Sequence, residues 1–169
     1  NPRNGDIYFQ MALVNLKTRS PRKALINLSK ASVLFKEDDK LTMEKGDGTK
    51  ISISKRGYTE LLACAAIDSF MISDPSGLKE WQETSKDFSR SAIKRFEYYS
   101  DKKESGLLFG LMGKDEQSAD ANKALIAKVK FLQAKVDAKR ILGSNEKKKI
   151  HPALQEGVNL ILEDTTLTD

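Results

Sequence analysis

With 169 residues, 39% of them hydrophobic and 31% charged, the chain is long enough to close one core and too regularly apolar for intrinsic disorder. Its net charge of +5 is spread over interleaved acids and bases, so nucleic acid is allowed as a partner but not demanded. The single cysteine, Cys64, excludes an intramolecular disulfide and a zinc site built from several thiolates. The longest apolar run, Leu61 to Ile72, contains Asp68 and Ser69 and is too short to cross a bilayer, so no transmembrane segment is expected. Low cysteine usage fits a reducing cytoplasm and leaves a periplasmic form open. A start at Asn1 rather than methionine reads as a processed or trimmed product.

Apolar spacing predicts a first helix over Asp6 to Lys17, capped by Asp6, with Ile7, Tyr8, Met11, Ala12, Val14 and Leu16 as its apolar residues and Phe9 and Leu13 widening the buried face. Ser20-Pro21 signals a second start, since proline at the first helical position loses no hydrogen bond there. Ala24, Leu28, Ala31 and Phe35 then form one stripe, and the two helices read as an antiparallel hairpin over 6–36. The period changes at Leu41 and Met43, which alternate like Ile51 and Ile53 across Gly46-Asp47-Gly48. A short β-hairpin over 41–54 is expected, with its turn at positive-φ glycines and its apolar face on the helices or a partner.

From Tyr58 to Ile72 apolar residues cover nearly the whole helical wheel, which predicts the central helix, ended by Asp74-Pro75. Ser76 caps the next helix, where Leu78, Trp81, Ser85, Phe88, Ala92, Phe96 and Tyr99 follow near-heptad spacing. The apolar run Ser105 to Gly113 holds three glycines and should interrupt helix, which resumes near Ser118 and runs to Leu142 with Gly143 as its cap. A short helix over Pro152 to Leu162 and a frayed tail complete the pattern. The expected fold is mainly α: one domain over 1–169, a multi-helix bundle or short helical-repeat array with one inserted β-hairpin, its remaining helices spanning 58–162.

No catalytic constellation is visible, and no cofactor or metal site is expected. His151, the sole histidine, has no second ligand near it in sequence and reads as a helix-start or surface residue. Cys64 sits among alanines and reads as a small buried hydrophobe. Gly46-Asp47-Gly48 lacks the strand–glycine–helix context and the Gly-Lys-Ser/Thr of a phosphate loop. Asp68 is the charge inside the apolar run; a carboxylate buried there must find a donor, for which Arg22, Arg90 and Arg95 are candidates. Among the basic residues of the fifth helix, Lys128, Lys135 and Lys139 align on one side and form the best nucleic-acid strip, against the plainer reading of a solvated face.

The hairpin over 6–36 resembles one tetratricopeptide repeat, carried by Tyr8, Met11 and Ala12 in its first helix and by Ala24, Leu28 and Ala31 in its second. The resemblance implies a protein-interaction or assembly module that holds a partner protein or peptide in a groove beside Tyr8 and Asn15, and self-association is expected as the other form of partnership. Phe109 and Leu111, large apolar residues in a glycine-rich connection, are further candidates for partner contact, or else plug the bundle. The alternative is a nucleic-acid-binding helical protein using the basic fifth helix.

Overall fold

The computed structural model describes residues 4–101 and 112–143. Phe109, Leu111, His151 and the expected helix over 152–162 lie outside the described residues. Of the described residues 80% are helical, and among them five α-helices and one two-stranded antiparallel hairpin give the mainly-α bundle that the periodicity predicts. No helix of the described residues is long and apolar enough to cross a membrane.

Helix α1 (Gly5–Lys17) begins one residue earlier than its spacing suggests, because the cap is Asn4, whose Oδ1 accepts from Asp6 N at 2.9 Å. Asp6 is freed from capping and pairs instead with Lys55, Nζ to Oδ1 2.5 Å, tying α1 to the start of the third helix. Helix α2 (Pro21–Leu34) starts at the proline, as expected. Ser20 caps it without a side-chain bond to the helix; its carbonyl accepts from Ala24 N at 3.0 Å. The tight connection between the helices holds Arg19 at φ 53°, a left-handed position that a non-glycine residue occupies at some cost.

Strands β1 (Lys40–Glu44) and β2 (Lys50–Ser54) form the expected hairpin, with Leu41 opposite Ile53 and Met43 opposite Ile51. The two strands differ in burial: Ile51 and Ile53 are buried, whereas Met43 is exposed. Only Gly48, at φ 80°, takes the positive-φ position of the turn, and Asp47 Oδ1 closes it by accepting from Thr49 N at 2.9 Å. The outer side of β2 is covered. Ser52 N donates to Ser118 Oγ at 3.0 Å, and Asn122 Nδ2 donates to Ser52 O at 3.2 Å, so the helix over Met112–Gly143 satisfies the edge that β1 does not.

Helix α3 (Lys55–Phe70) follows β2 directly, capped by Ser54, whose Oγ accepts from Gly57 N at 3.0 Å. It starts three residues before the apolar run, because the cap and not the first large side chain sets a helix boundary. Two 3₁₀ turns, Met71–Ser73 and Pro75–Gly77, lead into α4 (Leu78–Asp101). Here Asp74 takes the organising role assigned to Ser76: its carboxylate accepts from Ser76 Oγ at 3.0 Å and from Trp81 Nε1 at 2.9 Å. Those donors, with Arg22 nearby, hold its carboxyl below the usual carboxylate range. Helix α5 runs over Met112–Gly143, six residues longer at its start than expected; Gly113 does not interrupt it.

α3 is central, as its all-round apolar wheel predicts. Ala63, Ala66, Ile67 and Phe70 join Phe9, Ala12, Ala24, Leu28 and Ala31 of the α1–α2 hairpin in one buried cluster. Leu61 and Cys64 join Ala92 and Phe96 of α4 and Val129 and Leu132 of α5 in a second. Small residues on α3 let both neighbours approach. The Cβ that Gly57 lacks would lie 3.1 Å from the Phe96 ring and 3.2 Å from Arg95 Cβ.

Candidate functional site

The structure separates the sequence-derived candidates into a surface and an interior. On α1 the core-facing residues are Gly5, Phe9 and Ala12, with Tyr8, Leu13 and Leu16 partly buried beside them. Ile7, Met11 and Val14, which the sequence reading places among the apolar residues of a buried helix, are instead 45%, 49% and 58% exposed. At about 100° per residue these three fall on the side of α1 opposite the core, since their i, i+4, i+7 spacing is itself a helical stripe. The helix is thus apolar on two faces, and α2 and α3 cover one of them.

Tyr8 and Asn15, one heptad apart, border the exposed stripe. Tyr8 lays its ring against the α1–α2 core, with Lys30 Nζ 5.3 Å from its centroid. Asn15 is half-buried, and its backbone carbonyl closes the helix by accepting from Ser20 N at 2.7 Å. The exposed side of α2 adds Lys23 and Lys30 on the same flank, and Ile26 and Val33 beyond them.

Asp68 is buried, as its place in the apolar run suggests, but its counter-charges are not the arginines. Lys135 and Lys139 of α5 reach it, Nζ to Oδ2 at 3.2 Å and Nζ to Oδ1 at 2.7 Å, and Lys139 also donates to the Asp68 carbonyl at 2.6 Å. The Lys135 side chain is only 4% exposed and that of Asp68 2%. Two of the three lysines assigned to a phosphate-binding strip therefore point inward, because a carboxylate in a low-dielectric core draws the nearest long cations to it. Lys128 is left half-buried on that side of α5. Arg22 stacks on Phe70, 4.9 Å to the ring centroid, and pairs with Asp74; Arg90 pairs with Asp87 on the surface.

Arg95 serves a second buried carboxylate that the sequence reading passes over. Glu60, one turn into α3, accepts from Arg95 Nε at 3.2 and 3.0 Å, from Ser32 Oγ at 3.0 Å and from Ser91 Oγ at 3.1 Å. Arg56, four residues earlier on the same helix, lies with Nε 3.6 Å from Glu60 and donates through Nη1 to Glu37 at 2.9 Å; Arg95 Nη1 also donates to Glu37. The available signal was the i, i+4 pair Arg56 and Glu60 at the head of an otherwise apolar helix. What sequence could not supply was the third element, α4, that completes the cluster.

A further polar seam joins α4 to α5. Ser85 and Ser89 donate to Gln133 Oε1 at 2.9 and 3.0 Å, while Gln133 and Gln82 both donate to Asp137 Oδ1, at 2.9 and 2.6 Å. Cys64 lies against this seam, Sγ 3.4 Å from Ser89 Oγ, and burial pushes its thiol up to about 11. A protonated, enclosed thiol is a poor nucleophile at neutral pH. Among the described residues no group of three His, Cys, Asp or Glu side chains is arranged to hold a metal ion. No protein-family model, no curated protein and no solved structure matches the chain.

Proposed function

We propose that the chain is a protein-interaction module and that the outward face of α1 seats an amphipathic helix of a partner protein. The observation that carries this reading is the exposed stripe Ile7, Met11 and Val14 on a helix whose opposite face is already buried. Contiguous apolar surface of this kind is maintained where a partner covers it, and the i, i+4, i+7 spacing suits helix-on-helix packing. Tyr8 and Asn15 form one border of the seat; Lys23 and Lys30 rim it on that side. The partner helix accordingly carries an apolar stripe flanked by acidic residues. The resemblance of the α1–α2 hairpin to a tetratricopeptide repeat agrees with this role.

The test is the variant Ile7→Ser, Met11→Ser, Val14→Ser. Because these side chains face solvent, each substitution should change the unfolding free energy measured in urea by no more than about 0.5 kcal/mol. A protein captured by the parent under nuclease treatment should be lost from the variant. Capture that survives the three substitutions refutes the α1 seat. Capture that disappears on nuclease treatment of the parent would transfer the function to nucleic acid, with Lys123, Lys128, Lys130 and Arg140 among the basic residues of α5 to examine. A parent that sediments as a dimer, and a variant that sediments as a monomer, would make the partner a second copy of this chain.

A further inference from the structure

Two guanidinium groups, Arg56 and Arg95, stand against one buried carboxylate, Glu60, which leaves one positive charge to be neutralised at the surface. Glu37 does this from the link between α2 and β1, although its side chain is 66% exposed. Its two oxygens go to different arginines: Oε1 accepts from Arg56 Nη1 at 2.9 Å and Oε2 from Arg95 Nη1.

Of the two donors, Arg95 is the one anchored from behind by hydrogen bonds. Arg95 is fixed by both oxygens of Glu60 and by Nη2 donating to Ser91 Oγ at 3.3 Å, while Arg56 Nε rests 3.6 Å from Glu60. The acceptor is the exposed member, and an exposed ion pair contributes little net stability. Beside it opens a cleft of about 290 Å³ lined by Glu37, Ser91, Lys94, Arg95, Tyr98 and Tyr99. The two tyrosine rings stand edge to face, 5.7 Å between centroids, and Lys94 adds a solvent-facing ammonium.

We infer that this is an oxyanion-binding site, taking a carboxylate or phosphate group on a small planar or aromatic body, and that Glu37 is the chain's own occupant of it. Two Nη donors spaced for the two oxygens of Glu37 match the oxygens of an incoming anion equally well, and guanidinium groups favour such bidentate recognition. The tyrosines and Lys94 would receive the body of the ligand. Glu37 is a tethered competitor whose effective concentration is of millimolar order, so it lowers affinity for any external anion until it swings into solvent. The site shares no residue with the α1 stripe and stands independently of the function proposed above.

The experiment compares the parent, Glu37→Ala, and Glu37→Ala with Arg56→Gln by calorimetric titration with phenyl phosphate, inorganic phosphate and benzoate. Glu37→Ala should bind at least one of these about tenfold or more tightly than the parent does, because the tethered competitor is gone. The double variant should lose that gain. Preference for phenyl phosphate over inorganic phosphate identifies an organic phosphate as the ligand; equal affinity identifies free phosphate, and preference for benzoate a carboxylate. Equal affinities of parent and Glu37→Ala, absence of binding by all three probes, or full retention in the double variant overturns the proposal. Should the double variant fail to fold, the Nε–Hε signals of Arg56 and Arg95 in Glu37→Ala replace it: they must shift on titration, and binding that leaves them in place overturns the assignment.

Discussion

Asp68 shows how a single buried charge reorganises its surroundings. Its carboxylate lies among apolar residues of α3, and the two ammonium groups beside it, Lys135 and Lys139, come from a helix more than sixty residues away in sequence. Asp68→Asn removes the charge but keeps the volume, and it leaves Lys135 nearly enclosed without its counter-ion. The expected loss is about 3 kcal/mol in urea denaturation, the usual cost of breaking a buried pair from one side. Asp68→Leu with Lys135→Met replaces both charges by apolar groups and should recover most of it, since Lys139 retains a path to solvent. A double variant no more stable than Asp68→Asn would mean that the pair supports the fold through its hydrogen bonds. The burial of Asp68 is legible in the sequence from its apolar neighbours; the identity of its partner is not. Arginine and lysine at many positions satisfy the same electrostatic need, and the choice among them depends on which helix packs there.

At the scale of elements, the β-hairpin depends on α5 more than on itself. A two-stranded ribbon alone is marginal, and β2 is stabilised by burying Ile51 and Ile53 and by giving the Ser52 N–H and C=O to Ser118 and Asn122. Asn122 is fully buried and also donates to the Ser118 carbonyl at 2.7 Å, so it joins the N-terminal third of α5 to the strand. Asn122→Ala leaves the Ser52 carbonyl without that donor. It should cost about 1–3 kcal/mol and raise amide exchange in residues 50–54 before it affects α3. Uniform acceleration across the molecule would show that hairpin and bundle unfold as one unit. Alternation of apolar residues and the glycine turn were enough to place both strands; which residues face each other came from the structure. The covering of β2 was not readable, because Ser118 and Asn122 look like ordinary polar residues at a helix start.

For the whole molecule, stability should be graded outward from α3, the helix shared by both apolar clusters. Native-state hydrogen exchange is expected to find its slowest amides in α3, between about Leu61 and Ile67, and intermediate protection in α1, which is covered on one face only. The fastest strand amides should lie in β1, whose residues are mostly exposed. Protection of α1 equal to that of α3 in the isolated chain would indicate that the Ile7–Met11–Val14 face is already covered by self-association.

What the sequence determines by itself is local and periodic. The α1–α2 hairpin with its Ser20-Pro21 start, the two strands of the β-hairpin, the central rank of the apolar α3 and the absence of a long apolar span all follow from spacing, turn residues and composition, which act within a few residues of one another. The tertiary structure alone decides which face of a two-sided apolar helix is buried. Apolar residues recur around most of α1, and only the position of α2 and α3 leaves Ile7, Met11 and Val14 outside. It also decides which charges are surface and which are interior. Lys135 and Lys128 are indistinguishable on a helical wheel, yet one faces Asp68 and the other does not, and Glu60 gains its role only when α4 brings Arg95 and Ser91 to it. These outcomes depend on contacts between residues far apart in the chain, where desolvation and counter-charge are set by the neighbour that folding supplies.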